Sequence, residues 1–117
     1  AALRIRTILS AGESMGDRYL TTAARIILLP ALAARRHWGS LEECLEQLEA
    51  DVSDRYPDVD FARCSELAGW QAREAGALAL ARRCWVLALA QWRALAGAEA
   101  EVERLEAEIE GVGPGSM

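Results

Sequence analysis

Lysine is missing from this chain of 117 residues, so every one of its 13 basic side chains is Arg. That usage reads as a GC-rich, bacterial genome. It also leaves the short Gly12–Gly16 stretch without the Lys of a phosphate-binding loop, whose spacing is absent too. One His, His37, cannot complete the four ligands of a zinc site. The 3 Cys, at 44, 64 and 84, are odd in number and lack paired spacing, which excludes a disulfide framework. Each falls in a helical stretch and reads as a small buried hydrophobe in a reducing compartment. Their even spacing is matched by no repeat of the residues around them. Aromatics are scarce, with 4 Trp, 2 Tyr and 1 Phe, so the core must be mainly aliphatic. The longest apolar stretch, Ala23 to Ala34, holds Arg25 and Pro30 and is too short for a bilayer. With no signal peptide either, the expectation is a cytoplasmic protein. No nucleophile has a base beside it, so no enzyme, cofactor or metal is expected.

What remains is acidic, Ala- and Leu-rich and unevenly charged, with a net charge of −5. Residues 1–38 carry six Arg against two acids, residues 39–60 carry one Arg against eight acids, and residues 61–117 carry six Arg against eight acids. Nonspecific nucleic-acid binding depends on phosphate neutralisation, so the acidic balance argues against it. A basic patch on the N-terminal third is the one local exception.

The periodicity is helical throughout and no segment sustains strand alternation. Leu3 to Ala11 reads as a short helix ended by Gly12 and Gly16. A second helix, capped by Asp17, runs to about Trp38. Leu20, Ala23, Ala24, Ile27, Ala31 and Ala34 share its face, with Ile26, Leu28 and Leu29 filling the rest, and Pro30 predicts a kink or break. Gly39 ends it, and Ser40 with Glu43 forms a capping box for a third helix. That helix is marked by Leu41, Cys44, Leu45, Leu48 and Val52, with Glu42, Glu43, Glu46 and Glu49 on a solvated outer face. Asp58 or Asp60 caps a fourth helix ending near Ala75, Gly76 turns the chain, and a fifth runs from Ala77 to at least Leu95. Gly97 is a candidate interruption before a last helix, Glu99 to Glu110. The expected fold is therefore all-α, a single domain of five or six helices over residues 1–110. The tail at 111–117, rich in Gly, reads as a flexible linker, which with the start at Ala1 suggests a piece of a longer protein. Asp51, Asp54, Asp58 and Asp60 lack the spacing of a calcium loop and read as helix caps and solvated acids.

Residues 69–88 read G-W-Q-A-R-E-A-G-A-L-A-L-A-R-R-C-W-V-L-A. Gly69 offers a small residue in one helix, Gly76 the turn, Leu78 a large apolar residue after it, Ala81 a close helix contact, Trp85 a bulky aromatic, and Ala88 a further small residue. Small residues at such steps let two antiparallel helices approach, and one large aromatic fills the gap. This stretch, about 62–95, resembles a single tetratricopeptide (TPR) motif, a helical hairpin of about 34 residues. Ser65, Ala72 and Arg93 depart from the pattern, and with Arg93 in place of the closing proline the second helix is expected to run on. A generic alanine-rich hairpin needs the same small residues. No second copy stands out beyond a faint echo at Gly16 to Ala24. One such repeat cannot bury its own face, so the other helices must pack on it.

The resemblance implies a protein–protein interaction module of scaffold, chaperone-like or regulatory type, whose first repeat helix lines a groove. Carried over, the groove positions are Arg63, Glu66, Trp70, Arg73 and Glu74, which helical spacing also places on one face. Trp70 beside Arg is the kind of pairing that anchors interfaces, although it could equally pack as core under the second helix. The partner would be another protein or a peptide segment, with no membrane. Leu95, Ala98, Val102, Leu105, Ile109 and Val112 alternate steps of three and four, about two and a half heptads. Leu95, Val102, Leu105 and Ile109 are thus candidates for self-association in a homodimer, or for a capping helix that buries its stripe on its own domain. The alternative function is a helical accessory or dimerisation domain of a transcriptional regulator.

Overall fold

The computed structural model describes residues 18–50 and 58–112. They form five helices: α1 (Arg18–Ala34), α2 (Trp38–Ala50), α3 (Val59–Glu74), α4 (Leu78–Ala94) and α5 (Glu99–Val112). Among the described residues there is no strand, and the fold is a compact all-α domain. No described helix is long and apolar enough to cross a membrane. The helix expected at Leu3 to Ala11, the Asp17 cap, Val52, Asp51, Asp54 and the Gly-rich tail from 113 onward lie outside the described residues.

α3 and α4 form the most closely packed pair. α1 packs on α3 and α2, and α5 packs on α4. Their facing positions are small: Ala62, Ala68, Ala72, Ala81 and Ala88 have no exposed surface. Into the space so left goes Trp85, itself fully buried, with its indole across Gly69. A Cβ at Gly69 would lie 2.3 Å from Trp85 Cδ1 and Nε1, so only glycine fits under the ring. Two apolar clusters result. One gathers Ile26, Leu29 and Leu32 of α1 with Leu41, Leu45 and Leu48 of α2 and Cys84 of α4. The other joins Trp85, Ala88 and Trp92 of α4 to Leu105 and Val112 of α5.

Several local expectations are corrected. α1 carries Pro30 without breaking, and it stops at Ala34 rather than near Trp38. Its buried residues include Thr22, Ile26, Leu29 and Ala33, while Ile27 is 46% exposed, because the helix is gripped by α2 and α3 on the Leu29 side. The Ser40 capping box does not form: α2 begins at Trp38 and places Gly39 and Ser40 inside it, with Leu41 N–H donating to His37 O at 2.9 Å. α4 ends at Ala94 despite the absence of proline, since Leu95 turns to extended backbone and Gly97 (φ 81) reverses the chain.

The reason α1 stops is a turn that the chain uses twice. Arg36 N–H donates to Ala33 O and His37 N–H to Leu32 O; Gly76 N–H donates to Arg73 O and Ala77 N–H to Ala72 O. Both are Schellman closures, which require a left-handed residue just past the helix. Gly76 (φ 84) takes that conformation without penalty, whereas Arg36 (φ 56) does so at a cost. The α1–α2 and α3–α4 hairpins are thus built on one turn. The offset from Arg36 to Gly76 also maps Leu41 onto Ala81, Cys44 onto Cys84, Leu45 onto Trp85 and Leu48 onto Ala88, all buried. The spacing of two of the three cysteines is therefore structural.

Two outcomes follow from this packing. Gly69→Ala would gain about 1 kcal/mol in an ordinary helix interior, but here it should lower stability by about 1–3 kcal/mol through the clash with Trp85. Arg36→Gly should raise stability by about 1 kcal/mol by relieving the left-handed residue. Urea unfolding of each variant checks both signs.

Candidate functional site

α3 starts where Asp58 caps it, its carboxylate accepting from Asp60 N–H at 2.8 Å and Phe61 N–H at 3.3 Å. The buried side chain of Gln91 in α4 accepts from Asp58 N–H at 2.9 Å and so fixes that start from across the hairpin. From this anchor, helical spacing brings Arg63, Glu66, Leu67 and Trp70 to one side of α3. Opposite stand Glu101 and Arg104 of α5, with Trp92 of α4 at the base, enclosing an open groove of about 390 Å³.

Glu66 is the hub of the groove. Its carboxylate accepts from Trp70 Nε1 at 3.3 Å, from Trp92 Nε1 at 3.2 Å, and from both terminal nitrogens of Arg104. Its backbone carbonyl accepts from Trp85 Nε1 at 3.3 Å. Three of the four Trp thus point their only polar atom at one residue. Burial by itself would raise the Glu66 carboxyl; the hydrogen bonds from Arg104, Trp70 and Trp92, with the Arg104 charge, outweigh it and hold the group below the usual Glu value. A two-pronged guanidinium on a largely covered carboxylate is a strong form of ion pair.

The five groove positions carried over from the motif meet different fates. Arg63, Glu66 and Trp70 line the groove. Trp70 is half-buried, edge-on to Trp85 with ring centroids 5.0 Å apart, and the Arg73 guanidinium lies 5.4 Å from the Trp70 centroid. Arg73 also pairs with Glu108 of α5, and Glu74 is exposed away from the lining. Glu66 spends its carboxylate within the chain. Leu67, Trp92 and Arg104 were not legible as site residues. Glu66 and Trp70 announce themselves by their four-residue spacing, but no sequence signal ties Arg104 to a residue on another helix.

The seam residues are covered by their own domain only in part. Leu105 is fully buried against α4, while Leu95, Val102 and Ile109 pack half-buried on the same cluster. The acids of α2 are exposed, and two of them are also paired: Arg83 of α4 donates to Glu49 at 2.8 and 3.1 Å and to Glu42 at 3.5 Å, tying the two hairpins together. The cysteines are free thiols. Burial pushes the Cys84 thiol up to about 12, and burial, then the charges of Asp60 and Asp58, raises that of Cys64. Such thiols are poor nucleophiles. Among the described residues no group of three His, Cys, Asp or Glu is arranged to hold a metal ion. No protein-family model, curated protein or solved structure matches the chain.

Glu66 makes a pH prediction. Its carboxyl is harder to protonate folded than unfolded, so its contribution is complete above the ordinary Glu range and fades as pH falls through the lower folded value. Glu66→Ala should cost about 2–3 kcal/mol at neutral pH by stranding two indoles and Arg104. Urea midpoints of the native chain and this variant should converge in acid. A gap that stays constant would show that the carboxylate charge is not what holds the cluster.

Proposed function

We propose that the chain is a protein-interaction module that receives a segment of another protein in the groove between α3 and α5. The observation that carries this reading is what the groove leaves unspent once Glu66 is satisfied. Leu67 is 50% exposed beside the Trp70 and Trp92 rings, and Arg63 makes no ion pair among the described residues. An apolar side chain flanked by aromatic edges and an unpaired guanidinium is the composition of an interface anchor. The site needs no rearrangement to be read, because the Glu66 cluster fixes both walls in advance, and preorganisation lowers the cost of association. The resemblance of residues 62–95 to a TPR hairpin supports the same reading, since such hairpins present their first helix to partners. Arg63, Leu67, Trp70 and Arg73 would meet the partner, and Glu66 would position them.

A photo-crosslinking residue placed at Leu67 should give discrete adducts in cells, lost when Arg63→Glu is added. The same residue at Val86, exposed on α4 outside the groove, should give none. Identical adducts at both positions, or none at Leu67, would remove the groove as a binding site.

A further inference from the structure

α5 has a second side. Away from α3 it makes another open groove with the end of α4, of about 330 Å³. Its floor is apolar: Trp92, Leu95, Ala98 and Val102. Trp92 and Ala98 are buried there, while Leu95 and Val102 stay half-covered by their own chain. The rim is acidic. Glu106 already holds a guanidinium, that of Arg93, but Glu99 and Glu103 make no ion pair among the described residues.

We infer that this α4–α5 groove is a docking surface for a cationic amphipathic helix of a partner protein, seated with its apolar stripe on Leu95 and Val102 and its basic flank on Glu99 and Glu103. Charge decides the occupant. Between Glu99 and Val112, α5 carries six Glu against one Arg. A second copy bringing its own α5 would set like charges against each other at close range, which is destabilising. A segment bearing Arg or Lys gains what the copy would lose, and the Arg93–Glu106 pair shows a guanidinium seated on this rim. The apolar floor adds the helix-in-groove mode, in which residues one turn apart anchor the ligand. This surface is separate from the α3–α5 groove, although Trp92 borders both.

The test uses the full chain and two labelled synthetic helices with the same Leu stripe, one flanked by Arg and the other by Glu. Fluorescence anisotropy should show binding of the Arg-flanked peptide, weakened by added salt, and little of the Glu-flanked one. Glu99→Lys with Glu103→Lys should weaken it about tenfold. The same reversal at Glu43 and Glu46 on α2 should change it less than about twofold. Methyl NMR signals of Leu95 and Val102 should move while those of Leu67 stay in place. Equal weakening by the two charge reversals, equal binding of both peptides, or shifts at Leu67 instead of Leu95 and Val102 would overturn the inference. The Leu67 cross-link is read in cells without these peptides, so the two grooves are tested separately.

Discussion

The contact of the Trp85 ring with the bare Cα of Gly69 sets the geometry on which the remaining structure depends. Trp85 can lie flat between α3 and α4 only because no side chain stands beneath it and because alanines line the rest of the interface. Once seated, its indole reaches the Glu66 carbonyl and sets the turn of α3 that carries Glu66. The Glu66 side chain then gathers Trp70, Trp92 and Arg104, and through Arg104 it orients α5. The α3–α5 groove is the space that this chain of contacts leaves open, and its counterpart lies on the other side of the same helix.

Arginine performs the long-range joining. Arg83 binds α4 to α2, Arg104 binds α5 to α3, and Arg73 reaches from α3 to α5. Each meets a Glu on a different helix, and the planar fork of the guanidinium suits a carboxylate better than an ammonium would. An all-Arg chain is well equipped for this. Along α5 itself six Glu stand against one Arg.

The two hairpins share a turn but not a sequence. In α2, Leu41, Leu45 and Leu48 occupy the places of Ala81, Trp85 and Ala88 in α4. Three medium side chains replace a large one flanked by two small ones, so the same buried positions are filled by a different division of bulk. The same offset puts Leu29 of α1 in the place that Gly69 has in α3: without a tryptophan above it, α1 has no need of glycine. Arg36 in the place of Gly76 hides the relation further, because the most recognisable turn residue is missing from one copy.

Helical class, the bounds of α3 and α5 to within a residue or two, the Gly76 turn and the tight packing around Ala81 and Trp85 were all written in periodicity and residue size, which are local properties. The face of α3 was legible too, since helical spacing alone places Arg63, Glu66 and Trp70 together. What the face does was not. Whether Glu66 is offered to a partner or consumed at home depends on Trp92 and Arg104, which arrive from other helices. Whether the Leu95–Val112 stripe is an interface or a core depends on α4 lying beneath Leu105. Those are questions of which groups meet across the fold, and hydrogen bonding and burial between distant segments leave no periodic trace in the chain.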